Sequence, residues 1–165
     1  MSAVDDCGSP ILRRLLEALP DAVEDTHAQC GDATARVKRE RLLEVMRLLR
    51  DAEDLYFEML SDATAVDYLG ETPRFEVVYH LYSLRHNRRL RIKVRVPEED
   101  CQVASLCELW PAANWFEREI WDLYGIRFKG HPDLRRILLY EEFEGYPLRK
   151  DYPKEKRQPL IGPRN

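Results

Sequence analysis

Apolar residues recur every three to four positions in two stretches of the N-terminal half, and this spacing predicts amphipathic helices. The first stretch runs from Pro10 to Leu19 and stops at Pro20, a residue type that cannot continue a helix. The second runs from Glu40 to Ala52. Between them, residues 22–37 alternate weakly between apolar and polar positions, which favours a hairpin of two short strands.

The middle of the chain changes to the two-residue period of β-strands. We predict strands over residues 55–66, 75–84 and 90–96. The last of these alternates strictly, with Leu90, Ile92, Val94 and Val96 on one face and Arg91, Lys93 and Arg95 on the other. One apolar face and one charged face are typical of an antiparallel strand with a buried side and a wet side. The pattern therefore predicts an α+β fold, with a mostly antiparallel sheet and helices packed on one of its faces.

A third helix is predicted from Asn114 to Tyr124. Asn114 can cap its first turn, Glu117 stands where a capping-box acid would, and Gly125 offers the left-handed residue that ends many helices. Because charged side chains are rarely buried, those of this helix are expected to face solvent or a partner. They are Glu117, Arg118, Glu119 and Asp122.

The composition changes after Gly125. Residues 126–165 carry ten Lys and Arg against six Asp and Glu, a net charge of +4 in a chain whose total is −4. They also hold five of the ten prolines, together with large apolar residues that a solvated disordered tail would lack. We therefore predict an α+β body over residues 1–125 and an extended partner-binding segment over residues 126–165. The apolar residues of this segment are expected to find no partner in their own chain and to lie on another protein.

The composition also limits where the protein resides. Apolar residues make up 44% and charged residues 34% of the 165 residues, as in soluble globular proteins. No apolar run approaches the roughly 20 residues that span a bilayer. The N-terminus lacks the basic and apolar regions of a secretory signal. From the sequence we expect a cytoplasmic protein.

Nothing in the sequence points to catalysis by the chain alone. It contains no glycine-rich phosphate loop and no nucleophile elbow. The cysteines are too scattered for a disulfide scaffold or a metal site, so small buried or half-buried thiols are expected. They are Cys7, Cys30, Cys101 and Cys107. An independent enzyme that uses His131 as a base with the acids around it remains an alternative, and turnover by the purified chain would favour it.

A nucleic-acid-binding module is a second alternative. The basic pairs Arg135-Arg136 and Arg149-Lys150 lie among tyrosines that can stack on bases. The acidic total charge and the lack of an aromatic RNA-binding motif on the strands argue against this alternative. We therefore expect no nucleic-acid partner, and steep salt-dependent retention on DNA or RNA would contradict that expectation.

The run from Trp115 to Pro153 contains a long series of distinctive elements. They are Glu117-Arg118-Glu119, Asp122, Gly125-Ile126, Gly130-His131-Pro132-Asp133-Leu134-Arg135-Arg136-Ile137-Leu138 and Pro147-Leu148-Arg149-Lys150-Asp151. In these elements the chain resembles the 30-kDa subunit family of complex I-type NADH:quinone oxidoreductases, and the resemblance extends over roughly residues 10–155. Tyr146 stands where the family often has histidine.

The resemblance implies a non-catalytic structural subunit in the hydrophilic arm of a proton-translocating complex that passes electrons from NADH to quinone. It implies contacts with the 49-kDa-type subunit and the iron–sulfur subunits. It also implies no cofactor in this chain, with FMN and iron–sulfur clusters in the partner subunits. The subunit would be peripheral, on the cytoplasmic side of the bacterial inner membrane, and associated with the membrane only through the complex. Membrane-bound hydrogenases and ferredoxin- or F420-linked oxidoreductases use homologous subunits, so the electron donor stays open.

The expected partner interface combines the third helix with the C-terminal segment. Its residues are Glu117, Arg118, Glu119, Asp122, His131, Asp133, Arg135, Arg136, Arg149, Lys150, Asp151 and Tyr152. The basic ones in the segment are expected to pair with carboxylates of the partner, since a guanidinium fork binds a carboxylate through two hydrogen bonds. On this hypothesis Arg136→Ala lowers assembly of the complex and leaves the isolated body folded.

Overall fold

The computed structural model describes residues 4–156 and residue 158, and the elements predicted from the hydrophobic pattern are present in it. The helices are α1 (Pro10–Ala18), α2 (Leu42–Asp51) and α3 (Ala113–Tyr124). The strands are β1 (Val23–His27), β2 (Thr34–Val37), β3 (Met59–Asp67), β4 (Phe75–Ser83), β5 (Arg88–Val96), β6 (Gln102–Ala104) and β7 (Arg127–Lys129). Single turns of 3₁₀ helix precede β1, β2 and α2.

The first five strands form one sheet in the order β1-β2-β5-β4-β3. The pairs β1–β2, β5–β4 and β4–β3 are antiparallel, whereas β2 and β5 run parallel. The predicted α+β fold is therefore confirmed. β6 and β7 form a separate parallel pair, which the sequence pattern did not predict because three-residue strands are too short to show a period.

The core lies between one face of the large sheet and the helices. On β4 and β5 this face is buried and consists of Phe75, Val77, Tyr79, Leu81, Leu90, Ile92, Val94 and Val96. Leu12 of α1, Met46 of α2 and Ile120 of α3 belong to the same cluster. Full burial of a side chain of this size contributes roughly 1.5–3 kcal/mol, so this cluster holds the three helices against the sheet.

Helix α3, which carries several of the predicted interface residues, ends as expected and begins differently. Gly125 follows it with φ +77°, the left-handed conformation that the sequence predicted. The predicted N-cap, Asn114, is wrong. The helix begins at Ala113, the N-cap position is Ala112, and no side-chain hydrogen bond caps the first turn. Asn114 lies inside the first turn, and Glu117 is buried in the body instead of closing a capping box.

The packed body continues a few residues beyond Gly125. Ile126 and Phe128 are buried in the core, and β7 pairs with β6. From residue 130 to residue 156 the chain is irregular, and this stretch is called the strap below. Partner binding by residues 126–165 stays a prediction, and its last part, residue 157 and residues 159–165, lies outside the described residues. Within residues 4–156 and residue 158, no helix combines the length and the apolar character that a membrane span requires.

Candidate partner-binding site

The strap lies against the body of its own chain, where a buried carboxylate of α3 holds it. Asp122 is fully buried, and its Oδ2 accepts hydrogen bonds from the backbone N–H groups of Ile137, Leu138 and Leu139 at 2.9–3.1 Å. Its Oδ1 accepts a hydrogen bond from Arg136 Nη1 at 2.6 Å. We call this group the Asp122 anchor. Burial alone would raise the pKa of Asp122, but the backbone N–H groups and the guanidinium outweigh burial and hold that pKa below its ordinary value.

Arg136 is the cationic half of the Asp122 anchor. It also donates a hydrogen bond to the carbonyl oxygen of Phe143 at 2.7 Å. Its guanidinium lies 5.8 Å from the ring centroid of Trp121 and 5.7 Å from that of Phe143, positions that favour a cation. The expectation that the carboxylate partner of Arg136 lies on another subunit is corrected, because the structure places that partner in the same chain.

Arg118 holds the preceding stretch of the strap. Its Nε and Nη2 donate hydrogen bonds to the carbonyl oxygens of Arg135 and Arg136 at 3.1 and 3.0 Å. Its guanidinium lies 5.7 Å from the ring centroid of Trp115. Helix α3 thus offers a carboxylate to the N–H groups of the strap and a guanidinium to its carbonyl groups. Five backbone groups of residues 135–139 are thereby satisfied without regular secondary structure.

A second charged group holds the far end of the strap. Arg74 binds the carboxylates of Asp67 (2.8 and 2.9 Å) and Asp151 (2.7 and 3.0 Å) through two hydrogen bonds each, and it donates a further one to Glu98 at 2.6 Å. The backbone N–H of Lys150 also donates to Asp67, at 2.8 Å. We call Asp67, Arg74, Glu98 and Asp151 the Arg74 cluster. Hydrogen bonds from Arg74 are the main cause of the lowered pKa values of Asp67 and Asp151.

Arg149 and Tyr146 pack the strap against the end of α3. Arg149 Nε donates a hydrogen bond to the carbonyl oxygen of Tyr124 at 2.6 Å. Its guanidinium lies 4.9 Å from the ring centroid of Phe75 and 4.8 Å from that of Tyr146. Gly125 permits this approach, since a Cβ atom there would stand 2.5 Å from the Tyr146 ring. A side chain at this position would overlap the Tyr146 ring and the Arg149 guanidinium, so these groups would have to move.

Glu117 is a further buried carboxylate of α3, and it faces the loop after β6. Its Oε1 accepts a hydrogen bond from the backbone N–H of Leu106 at 2.6 Å, and its Oε2 accepts one from Ser105 Oγ at 2.6 Å. Cys107 Sγ lies 3.5 Å from the same Oε2. Burial raises the pKa of Glu117, and it raises the pKa of the Cys107 thiol to about 11.

The predicted interface residues fall into two groups. Those whose side chains form hydrogen bonds or ion pairs with other parts of the chain are Glu117, Arg118, Asp122, His131, Arg136, Arg149 and Asp151. Glu119, Lys150 and the neighbouring pair Asp133–Arg135 are exposed, and Tyr152 stacks on Phe143 at 6.2 Å. The expectation that the apolar residues of the segment find no partner in their own chain is wrong for Ile126 and Phe128, which are buried in the core. A role of these residues in an interface with another subunit stays a prediction.

The body side of the Arg74 cluster and the exposed indole of Trp115 were not among the residues predicted from the sequence. Asp67 lies on the same buried face of β3 as Ala63 and Ala65. A carboxylate at an alternate position of an otherwise apolar strand face could have indicated a buried ion pair. Trp115 is 65% exposed. Large apolar side chains of the strap are exposed as well, namely Leu138, Tyr140 and Leu148.

Known proteins match this chain over most of its length. The family described as "Respiratory-chain NADH dehydrogenase, 30 Kd subunit" matches residues 35–158. A subunit of the NADH-quinone oxidoreductase of Citrifermentans bemidjiense is 47% identical over 151 residues, which cover 90% of this chain and 92% of that protein. The corresponding NADH-quinone oxidoreductase subunit of Roseiflexus castenholzii is 50% identical over 143 residues, which cover 87% and 82% of the two chains.

Two solved structures share the fold. A trypsin-resistant fragment (1-134) of Nqo5 superimposes with a TM-score of 0.65 at 35% identity, covering 75% of this chain and 99% of the fragment. A chain of the membrane-bound sulfane sulfur reductase, an archaeal respiratory membrane complex, gives a TM-score of 0.77 at 25% identity, covering 90% and 86%. These matches confirm the resemblance seen in the sequence motifs, and the chain belongs to the 30-kDa subunit family of respiratory-chain NADH dehydrogenases.

Proposed function

We propose that this chain is a structural subunit in the hydrophilic arm of a proton-translocating NADH:quinone oxidoreductase and carries out no redox step itself. It holds the 49-kDa-type and iron–sulfur subunits in place while electrons pass from NADH to quinone. FMN and the iron–sulfur clusters belong to those partner subunits. The chain is peripheral, on the cytoplasmic side of the membrane. The names of the related subunits support this proposal.

One observation on the surface carries the proposal. The Asp122 anchor and the Arg74 cluster fold the strap onto the body and leave a set of large side chains exposed: Trp115, Leu138, Tyr140 and Leu148. Trp and Arg are the residue types that contribute most to protein interfaces, and Arg118 lies over the Trp115 ring. Clustered exposed apolar groups mark sites of protein association, and these four side chains all belong to α3 or to the strap that packs on it.

This surface changes the mechanism inferred from the sequence. Arg136 and Arg149 hold the strap against the body, because their guanidinium groups form hydrogen bonds within the same chain. The contacts to a partner then come from the exposed side chains, and Lys150 and Glu119 are exposed charged residues of the strap and of α3. A strap that is ordered before binding lowers the conformational entropy lost on association.

A pull-down from native membranes in mild detergent, followed by mass spectrometry, tests the proposal. Trp115→Ala and Leu138→Ala should each reduce recovery of the 49-kDa-type and iron–sulfur subunits. The matched control is Leu84→Ala, because Leu84 is 63% exposed, Leu138 is 61% exposed, and Leu84 lies in the β4–β5 turn. Unchanged melting temperatures would exclude a folding defect. Equal recovery with all three variants would contradict the proposed interface.

The same experiment decides between this role and a second one. The likeness to a chain of the membrane-bound sulfane sulfur reductase, an archaeal respiratory membrane complex, supports a second candidate role. In that role the chain is the homologous subunit of a respiratory membrane complex with another electron donor, such as a membrane-bound hydrogenase or a ferredoxin- or F420-linked oxidoreductase. Recovery of NADH-oxidising subunits with the wild-type chain supports the first role. Recovery of hydrogenase-type or ferredoxin-linked subunits supports the second and keeps the structural role.

A further inference from the structure

Three side chains with metal-binding atoms meet where the body joins the strap. They are Cys107 in the loop after β6, Glu117 in the second turn of α3, and His131 at the start of the strap. One potential ligand atom from each lies within 4.8 Å of the other two, and the thiol sulfur is 3.5 Å from the carboxylate. The sequence pattern did not reveal this group, because its members are spread over 25 positions with no recognised spacing.

The carboxylate in this group is unusual for its surroundings. Glu117 is fully buried, and among the described residues no Lys or Arg forms an ion pair with it. The hydroxyl of Tyr79 is also fully buried, has no hydrogen-bond partner among the described residues, and lies within electrostatic range of Glu117. Buried carboxylates normally pair with a cation or coordinate a metal. In the described part of the chain, the neighbouring side chains supply no Lys or Arg to balance this charge.

Hydrogen bonds orient the imidazole of His131 and the carboxylate of Glu117, and both ring nitrogens of His131 have a partner in the structure. His131 Nε2 is 3.1 Å from the carbonyl oxygen of Asn114, so Nε2 carries the hydrogen and Nδ1 presents the lone pair. A ligand histidine is commonly oriented by such a bond to a carbonyl. Nδ1 now accepts a hydrogen bond from the exposed Asp133 N–H at 3.0 Å, and water can replace it as the partner of that N–H. Ser105 and Leu106 orient the carboxylate in the same way.

We propose that Cys107, Glu117 and His131 bind a divalent cation of the zinc class. The cation takes the place of the thiol proton, which is released to solvent, and no oxidation or reduction occurs. One sulfur, one nitrogen and one oxygen ligand suit Zn²⁺ or Co²⁺, whereas Mg²⁺ and Ca²⁺ prefer oxygen alone. Tetrahedral ligands with zinc bonds of about 2.0–2.3 Å lie roughly 3.3–3.6 Å apart, so the most distant pair of these atoms, up to 4.8 Å apart, has to approach by about 1 Å. Cys107 and His131 are half-buried side chains, so they can make this adjustment and an ion can reach them. Water fills the fourth position.

Titration of the purified full chain with Co²⁺ tests the site, because a thiolate ligand produces a charge-transfer band in the near ultraviolet. Replacing Cys7 and Cys30 by serine in all samples removes the exposed thiols. One equivalent of Co²⁺ should produce the band, and Zn²⁺ should abolish it. Cys107→Ser should eliminate the band and weaken binding by about 100-fold or more. The matched control, Cys101→Ser, alters the other half-buried thiol and should leave the band unchanged.

A second variant guards against a folding defect at Cys107. His131→Gln retains the thiol and should weaken Co²⁺ binding by about 10- to 100-fold or more, while the circular dichroism spectrum stays that of the parent. The proposal is overturned if the parent shows no thiolate band, if Cys107→Ser retains it, or if Cys101→Ser loses it to the same extent. None of these measurements depends on assembly with other subunits, so the outcome is independent of the proposed function.

Discussion

Asp122→Asn is the substitution that most directly tests how the strap is held. Asparagine keeps the shape of the side chain but replaces one acceptor oxygen by a donor. In the Asp122 anchor all four groups that face the carboxylate are donors, namely Arg136 Nη1 and the N–H groups of residues 137–139. Whichever way the amide turns, its NH₂ group faces a donor, so at least one buried hydrogen bond is lost along with the charge.

The size of the effect follows from the burial of the pair. Breaking a buried ion pair by removing one charge costs about 3–5 kcal/mol. Arg136 is slightly exposed and keeps its hydrogen bond to the carbonyl oxygen of Phe143, so the lower end, about 3 kcal/mol, applies. Since each 1.4 kcal/mol changes an equilibrium constant tenfold, the open form of the strap should become on the order of 100-fold more populated.

Limited trypsin digestion of the full chain measures this opening. Trypsin cleaves after Arg135 and Arg136, and Arg118 holds both of their carbonyl oxygens when the strap is docked. When opening and closing are fast, the cleavage rate follows the population of the open form. Mass spectrometry of the early fragments should therefore show cleavage at these two sites roughly 100-fold faster in Asp122→Asn. The control Glu119→Gln changes an exposed acid of the same helix and should cleave at the parent rate.

Two results would refute this explanation of the strap. Cleavage after Arg135 and Arg136 at the parent rate would show that the carboxylate does not hold the strap. Cleavage of the parent after Arg135 and Arg136 no faster than after Arg50 in α2 would show that the strap opens only when the whole fold unfolds. Urea denaturation gives the free energy of global unfolding, and local opening requires cleavage at the strap sites to be faster than that free energy allows.

Arg74→Ala should lower the free energy of unfolding by about 3–5 kcal/mol, because it leaves the buried carboxylate of Asp67 without its cation. Asp151→Asn should lower it by about 1 kcal/mol or less, because Asp151 is half exposed. Urea denaturation compares the two variants, and equal losses would contradict this ranking. Gly125→Ala should cost about 1–3 kcal/mol, since its methyl group would overlap the Tyr146 ring, and an unchanged melting temperature would show that the ring does not pack there. Acid should release the strap. The carboxylates with lowered pKa values are Asp67, Asp122 and Asp151. Their contribution to stability is present above about pH 5 and is lost as the pH falls through the folded pKa values, which lie below the unfolded value of about 3.9. Hydrogen-exchange protection of the amides of residues 137–139, corrected for intrinsic rates, should fall over this pH range. Constant protection down to about pH 3 would contradict this prediction.

The elements that could be predicted from the sequence are those that bury one face along a regular period. In β5 every second residue from Leu90 to Val96 is buried, as the strict alternation indicated. In α2, burial of Val45, Met46 and Leu49 follows the helical spacing. Periodicity fails where an element is too short, as in β6 and β7, and where a segment packs without any period, as the strap does. Its anchors depend on pairs that are up to 83 residues apart, such as Lys150 and Asp67.

The buried carboxylates were misjudged for a different reason. Glu117 lies four residues after Ala113 and three before Ile120, so it belongs to the apolar stripe of α3. Because glutamates are rarely fully buried, Glu117 was predicted to face solvent or a partner, although its position lies on the apolar face of the helix. The groups that make burial tolerable are backbone N–H groups and a hydroxyl group of distant segments, and these cannot be identified before the fold is known.

The motif that identifies the family therefore serves folding first. Asp122, Arg136, Arg149 and Asp151 all belong to it, and all four bind inside the chain. If the strap were released, assembly would have to order it again, at about 1–2 kcal/mol per residue of backbone. A loss of assembly in Arg136→Ala would therefore not show that Arg136 contacts a partner, because a released strap would produce the same result. Trp115→Ala separates the two causes, since it removes an exposed side chain while both anchors remain. Reduced assembly in that variant with unchanged trypsin resistance would locate the contact on the surface that the anchors hold in place.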